Sequence, residues 1–226
     1  MTWKLSSRSI RDRGRVALIE TIPVGPLQTN CSLVVDERTL EAVVVDPGDE
    51  AERIARALAK AGARAVVLLH THAHFDHIAG TGELAELTGA PIRLHAADRQ
   101  LYERLPQQAA MFGLVAGPPP PPDAPLSDGE MVRFGDCAMR VIHTPGHTPG
   151  SVGFLLEGDH PVLFAGDTLF RRSIGRTDLP GGDTDAILAS IRGRLFTLPG
   201  ATPVVCGHGP GTTIEEERRL NPFAAL

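Results

Sequence analysis

Four histidines and one aspartate are crowded into residues 70–77, directly after a short apolar run at residues 65–69. Such a run is typical of a buried strand, so the cluster begins where the predicted strand ends. Residues 72–77 read His-Ala-His-Phe-Asp-His, which places three imidazoles and one carboxylate within six positions. Strand alternation followed by a turn can direct His72 and His74 to one position and Asp76 and His77 to an adjacent one. The pattern predicts ligands for two metal ions close together.

Three further candidates, one carboxylate and two imidazoles, lie at glycine-flanked turns after predicted strands. The full set is His72, His74, Asp76, His77, His147, Asp167 and His208. Neighbouring glycines let the backbone turn so that a side chain can reach inward. Imidazole and carboxylate are ligands for zinc, iron and manganese. A single histidine is more often a core or surface residue than a ligand, but seven ligand-type residues at strand ends are hard to explain by chance.

The apolar periodicity predicts a layered α+β fold. Strands are predicted at 16–24, 31–35, 42–45, 65–69, 91–95, 131–134, 138–143, 152–156, 162–165 and 203–206, and helices at 50–61, 78–88, 97–112, 183–196 and 214–220. Each half of the chain supplies several strands and then helices, which favours two mixed sheets packed face to face with helices outside. We expect one domain over residues 1–226, with a flexible basic tail at 1–14. Residues 117–125 contain five successive prolines and predict a rigid surface segment.

Composition excludes several other classes of protein. The net charge of −5 leaves no basic footprint for nucleic acid, and no apolar run is long enough for a membrane span. Three widely spaced cysteines suggest neither a disulfide framework nor a cysteine zinc site. The basic N-terminus is not followed by the apolar stretch of a signal peptide, so we expect a cytoplasmic protein. We also expect its substrate to be a small molecule. The oligomeric state is left open.

The sequence resembles the metallo-β-lactamase superfamily. The residues that carry the resemblance are Thr71-His-Ala-His-Phe-Asp-His77 followed, in order, by His147, Asp167 and His208. The resemblance implies a four-layer αββα sandwich that binds two divalent metal ions. Zinc is the expected metal, and iron and manganese are the alternatives. It assigns His72, His74 and His147 to one ion and Asp76, His77 and His208 to the other, with Asp167 bridging; Asp76 would also orient the attacking water.

Two longer stretches look like the glyoxalase II branch of that superfamily and its short bacterial subgroup: residues 143–151 and 173–182. This likeness implies hydrolysis of thioesters, S-acylglutathione or related, through a bridging hydroxide. Full-length enzymes of this branch carry an additional helical domain that supplies part of the glutathione site, and since the sequence stops at Leu226 we expect no counterpart of it here. The alternative is a persulfide dioxygenase with one iron held by His72, His147 and Asp167. Nuclease and non-catalytic binding functions are disfavoured.

Several residues near the predicted ligands carry secondary hypotheses. Asp46 either hydrogen-bonds a ligand histidine or stabilises its own turn, and both interpretations stay open. Arg176 is the candidate for holding an anionic group of the substrate. Asp183 is expected to cap the helix that follows it, and Cys206 is expected to be a small buried residue and no redox switch.

Overall fold

The first half of the chain forms a seven-stranded sheet. A computed structural model describes residues 8–12 and 15–225. The strands of this sheet are β1 (Arg8–Asp12), β2 (Arg15–Val24), β3 (Thr29–Asp36), β4 (Glu41–Val45), β5 (Arg64–Leu69), β6 (Ile92–His95) and β7 (Ala124–Leu126). They lie side by side in sequence order. Pairing is antiparallel from β1 to β4 and parallel from β4 to β7.

The second half forms a six-stranded mixed sheet and a two-stranded ribbon. The strands are β8 (Met131–Phe134), β9 (Cys137–His143), β10 (Val152–Leu156), β11 (Val162–Gly166), β12 (Leu169–Phe170), β13 (Ser173–Ile174), β14 (Pro203–Cys206) and β15 (Thr212–Thr213). The sheet order is β15-β14-β11-β10-β9-β8, and β12 pairs with β13. Only β11 and β14 are parallel within this sheet.

Seven α-helices accompany the sheets. They are α1 (Ala51–Lys60), α2 (Phe75–Ile78), α3 (Thr81–Thr88), α4 (Arg99–Glu103), α5 (Leu105–Met111), α6 (Thr184–Ser190) and α7 (Ile214–Leu220). A 3-10 turn at Ala96–Asp98 precedes α4, and a π-helical turn at Ile191–Leu195 extends α6. These are the helices of the residues that the structure describes.

Alternating side chains on the strands separate three apolar layers. On β4, Val43 and Val45 join the core between the two sheets, whereas Val44 packs on the other face with the helices α1 and α3. On β11, Phe164 faces the same central core, and Leu163 packs outward with the α6 and α7 residues. Because strand side chains alternate with a period of two, each sheet has one face for the other sheet and one for helices. The order of layers is helix, sheet, sheet, helix, so the predicted αββα fold is confirmed.

The predicted helices and strands match the observed ones except at a proline, at one additional helical turn and at strands of two residues. The helix expected over 97–112 is divided between α4 and α5, where Pro106 lacks an N–H for an intrahelical hydrogen bond. The helix expected from residue 78 is preceded by a separate turn, α2, which begins at Phe75. Strands β12, β13 and β15 were not predicted, because two-residue strands are too short to show alternation.

Two segments expected outside the sheets contribute strands to the first one. Residues 8–12, part of the expected basic tail, form β1 and pair with β2, which satisfies backbone groups that an edge strand leaves open. Residues 1–7 and 13–14 of the tail lie outside the described residues. At the far edge, the end of the proline-rich segment enters β7 and pairs with β6.

Two expectations from composition concern cysteines and membranes. Cys31, Cys137 and Cys206 are all buried, and Cys31 and Cys206 carry free thiols. Among the described residues, no helix has the length and apolarity needed to cross a membrane.

Candidate metal centre

The predicted ligands meet where the ends of several strands from both sheets come together. His72 and His74 follow β5, His147 lies between β9 and β10, Asp167 follows β11, and His208 follows β14. Backbone hydrogen bonds join the sheets at this place. Asn30 N–H donates to the carbonyl of Gly207 at 2.7 Å, and Val152 N–H donates to that of Thr71 at 2.7 Å. Residues distant in sequence are thereby held around one centre.

The short helix α2 explains how one peptide segment supplies four of the seven side chains. His74 is the residue before the first helical turn and has an extended backbone, whereas Asp76 and His77 lie within that turn. The change from extended to helical conformation turns Asp76 and His77 toward the far side of the cluster. Asp76 Oδ2 lies 3.1 Å from His208 Nε2, and His77 Nε2 lies 3.3 Å from Asp167 Oδ1.

All seven predicted ligands fall into three groups whose donor atoms lie close enough for a shared cation. The groups are His72, His74 and His147; Asp76, His77 and His208; and His72, His77 and Asp167, with donor atoms in each group within 4.8 Å of one another. The first two are the sets that the family resemblance implies. The third joins Asp167 to one histidine from each set, which is the position that a bridging carboxylate needs. The other four histidines belong to none of these groups.

Backbone and carboxylate acceptors fix which nitrogen faces the centre in three of the imidazoles. His77 Nδ1 lies 3.0 Å from Asp46 Oδ2, and His208 Nδ1 lies 3.0 Å from the carbonyl oxygen of Leu27. His147 Nδ1 lies 2.8 Å from the carbonyl oxygen of Arg176. These oxygens only accept, so Nδ1 carries the proton in all three rings. The Nε2 lone pairs are left to face the cluster, as metal coordination requires.

His72 presents a buried nitrogen with no partner. The Thr71 hydroxyl donates to Asp46 Oδ2 at 2.7 Å, so it accepts from His72 Nδ1 at 3.0 Å. His72 Nε2 is buried and has no hydrogen-bond partner among the described residues. An uncompensated buried polar atom is costly. A cation at the centre would satisfy it.

The cluster strongly perturbs the pKa values of its members. Burial lowers the pKa of His74 to about 3, and the neighbouring His147 adds to this effect. Burial opposes the charged form of His77, but Asp76, Asp167 and Asp46 outweigh it and raise its pKa well above the usual range. Burial likewise opposes ionisation of Asp76, and His77 and His208 reverse that effect and lower its pKa. Metal ions bind neutral imidazoles and ionised carboxylates, so His74 and Asp76 already have the required protonation states, whereas His77 must release a proton when an ion binds.

Two buried carboxylates outside the predicted ligand set hold the ligand loops. Asp46 accepts from Thr71 N–H at 2.7 Å as well as from His77, so it does hydrogen-bond a candidate ligand. Asp98 accepts from Ala73 N–H at 3.0 Å, from the Thr148 hydroxyl at 2.7 Å and from Gly150 N–H at 2.6 Å. It therefore ties the loop of His72 and His74 to the loop of His147. Asp98 was not predicted from the sequence, because no local pattern marks a residue whose partners lie 25 and 50 positions away.

Close backbone approach explains why a glycine precedes His208. A Cβ atom at Gly207 would lie 2.0 Å from Asp167 Oδ1 and 3.0 Å from His77 Cε1. Real side chains do not tolerate the first distance, so any other residue would displace the candidate bridging carboxylate.

Three other residues singled out in the sequence lie outside the ligand groups. Asp183 caps α6 by accepting from Ala186 N–H, as expected. Cys206 is buried, and burial raises the pKa of its thiol to about 12. The Arg176 guanidinium is exposed and pairs with Asp178 at 2.7 Å, so its contact with the cluster is made by its backbone carbonyl.

An αββα sandwich with a histidine and aspartate cluster at the strand ends is the architecture of a metallohydrolase. The family model of the metallo-beta-lactamase superfamily matches residues 24–208. The chain belongs to this superfamily.

The names of relatives within the superfamily state different activities. The hydroxyacylglutathione hydrolase GloC of Haemophilus influenzae is 41% identical over 212 residues, which cover 91% of this chain and 97% of that protein. The human mitochondrial persulfide dioxygenase ETHE1 is 35% identical over 86% of this chain and 70% of its own length. The solved structure of TTHA1623 in a di-iron-bound form is 43% identical with a TM-score of 0.81, covering 90% of this chain and 98% of that one.

Proposed function

We propose that this protein is a metal-dependent hydrolase that cleaves thioesters of the S-acylglutathione type or related ones. Two divalent metal ions, zinc first and iron or manganese as alternatives, would be held by His72, His74, His147, Asp76, His77, His208 and Asp167. The observation that carries the proposal is the donor set itself: two groups of three ligands with a carboxylate between them. The name of the GloC relative supports the thioester class of substrate.

The chain's own residues fit this pair of ions. His72 Nε2 is a buried nitrogen without a partner among the described residues, and the imidazoles of His77, His147 and His208 are held by acceptors on their far side. Divalent ions at such a site make water nucleophilic at neutral pH and polarise a carbonyl group. Asp76 would orient the attacking water. Its Oδ2 accepts from the Thr29 hydroxyl at 3.1 Å, which restrains the carboxylate.

Among the described residues, neither a tyrosine nor a lysine is placed to donate a proton at the centre, which favours thioesters over amides. The single tyrosine, Tyr102, is 1% exposed and donates its hydroxyl to the carbonyl of Pro120. Lys60, the one lysine among the described residues, lies on α1 beside Thr21 and Arg56 in a separate groove. Thiols have pKa values of about 8.5, so a thiolate leaves without full protonation, whereas an amine does not.

Arg176 is the proposed contact for an anionic group on one side of the substrate. It lies next to Gly175, which packs against the backbone of Asp167. Its side chain is 58% exposed and is paired with Asp178. A substrate carboxylate would take the place of Asp178.

The alternative proposal is a persulfide dioxygenase with one iron held by His72, His147 and Asp167. It is favoured by the name of the human relative. In that case Asp76, His77 and His208 would hold no ion.

One experiment separates the two proposals. Protein produced without added metal is analysed for elements, then assayed with S-D-lactoylglutathione and simpler thioesters and for oxygen uptake with glutathione persulfide. Two ions per chain and thioester hydrolysis support the hydrolase. One iron per chain with oxygen uptake, and no hydrolysis, overturns it.

A further inference from the structure

A cavity of about 520 Å³ lies beside the metal centre, and Asp76 is one of its lining residues. Leu27 also lines it, and the carbonyl of Leu27 holds His208 at 3.0 Å. The volume is within the range of small-molecule sites, roughly 300–1,000 Å³. A molecule that reacts at the centre therefore has space for one of its substituents here.

The cavity wall is apolar on one side because of the segment at residues 112–120. The Phe112 ring packs on Phe75 with centroids 4.5 Å apart. At the other end the carbonyl of Pro120 accepts from Tyr102. Between these anchors, Leu114 and Val115 line the cavity yet are 40% and 101% exposed. When an apolar group covers such exposed side chains, apolar surface is removed from water, which favours binding.

The charged residues that line the cavity are all acidic. Asp49, Glu83 and Glu86 line it together with Asp76, and the lining contains no lysine, arginine or histidine among the described residues. Glu83 and Glu86 lie three residues apart on α3 and share its cavity side. Asp76 is a proposed metal ligand, so the bound ion offsets its charge. At Asp49, Glu83 and Glu86 an anionic group would meet like charges with no basic side chain in the lining, which costs affinity.

We propose that this cavity receives an apolar substituent that is uncharged or cationic, and that it excludes anionic substituents. The inference rests on the proposed function and narrows its substrate class. If a carboxylate is present, it lies on the other substituent of the thioester, on the side of Arg176. A glutathionyl group, which carries two carboxylates, would not occupy the cavity.

The test uses two series of thioesters with the holoenzyme at low ionic strength. In one series the acyl group on N-acetylcysteamine is hexanoyl, adipoyl or trimethylammoniohexanoyl. In the other series the propionyl thioester is made with ethanethiol, 3-mercaptopropionate or thiocholine. In at least one series we expect kcat/KM of the anionic member to be about tenfold or more below that of the neutral member. We expect the cationic member to equal or exceed the neutral one.

A charge-removing variant attributes this discrimination to the cavity. Glu83→Gln combined with Glu86→Gln is expected to bring the anionic-to-neutral ratio of kcat/KM severalfold closer to one. Glu37→Gln removes an exposed carboxylate that does not line the cavity and should leave the ratio unchanged. Equal rates for anionic and neutral members in both series, or a ratio that the double variant does not alter, would overturn the proposal.

A second readout needs no turnover. Amide hydrogen exchange of residues 112–117 is measured with hexyltrimethylammonium, hexanol or hexanesulfonate added. The first two should slow exchange, and hexanesulfonate should not; equal slowing by all three overturns the proposal. If no thioester is hydrolysed, the proposed function fails, and hydrogen exchange still decides the charge preference of the cavity.

Discussion

His74 Nδ1 and His147 Nε2 lie 2.8 Å apart, although the two residues are separated by 73 positions in the sequence. The far nitrogen of His147 is hydrogen-bonded to the carbonyl of Arg176, so its proton is on that side. Burial lowers the pKa of His74 to about 3, so this ring is neutral at ordinary pH. Two rings this close can share one proton or can both face a cation. The second arrangement also satisfies His72 Nε2, which a single shared proton does not.

Replacing His74 should remove metal and activity together. In His74→Ala one of the three donors of the first group is lost, so we expect a lower metal content per chain and no measurable thioester hydrolysis. Elemental analysis and a thiol-release assay measure both quantities. His160→Ala is the control, because His160 is exposed and belongs to none of the donor groups. Full metal content and activity in His74→Ala would contradict the ligand assignment.

Asp46→Asn should weaken metal binding through His77 while the fold is retained. Asp46 has a positive φ of 53°, a conformation that asparagine tolerates. The amide oxygen can still accept from Thr71 N–H, but the NH2 group then replaces Oδ2 and faces both His77 Nδ1 and the Thr71 hydroxyl. Loss of such a partner typically costs about 10- to 100-fold in metal affinity. Competition with a chelator measures the affinity, and an unchanged value would show that Asp46 only shapes its own turn.

Asp98→Asn should destabilise the protein even without metal. Asp98 is fully buried and its two carboxylate oxygens accept three hydrogen bonds, and an NH2 group would leave at least one donor unpaired. We expect a loss of about 1–3 kcal/mol in the free energy of unfolding. Denaturant unfolding of chelator-treated protein measures it. Asp185→Asn, at an exposed position on α6, should have a smaller effect, and equal effects would refute the structural role of Asp98.

Gly175→Ala should disturb the centre more than a typical glycine substitution. A Cβ atom at Gly175 would lie 1.9 Å from the backbone oxygen of Asp167 and 3.1 Å from His147 Nδ1. Both candidate ligands would have to shift, so metal content and thermal stability should fall. Gly193→Ala is the matched control, since nothing lies within 4 Å of its added Cβ atom. A similar result for the two variants would contradict the close packing around Gly175.

Cys31 and Cys206 should be unreactive in the folded protein. Both are buried, and burial raises the pKa of the Cys206 thiol to about 12 and that of Cys31 well above its usual value. The thiolate is the reactive species, so alkylation at pH 8 should modify neither residue until the protein unfolds. Mass spectrometry of peptides after brief labelling with iodoacetamide, with and without denaturant, identifies the modified residues. Rapid labelling of Cys206 in the native protein would favour the redox role that we reject.

The sequence predicted the strand ends and the residues that could bind metal more completely than it predicted their surroundings. His72 to His77, together with a buried strand just before them, form a local pattern that can be seen without a structure. Asp98 and the carbonyl of Leu27 act across the fold, so they leave no local pattern. The proline-rich segment shows the same limit. Its composition predicts an extended surface path, but its position as a wall of the cavity depends on contacts of Pro120 with Tyr102 and Gly82.

The sequence alone therefore determined the layered fold and the chemical types of the seven candidate ligands. Apolar periodicity and residue chemistry are local properties, and each strand carries its own signal for the face it buries. Only the tertiary structure brought together the ligand groups that the family resemblance implies and decided which nitrogen of His77, His147 and His208 faces the centre. It also decided that acidic and apolar residues line the adjacent cavity. These relationships depend on the packing of two sheets whose strands come from distant parts of the chain, as the approach of Gly207 to Asp167 illustrates.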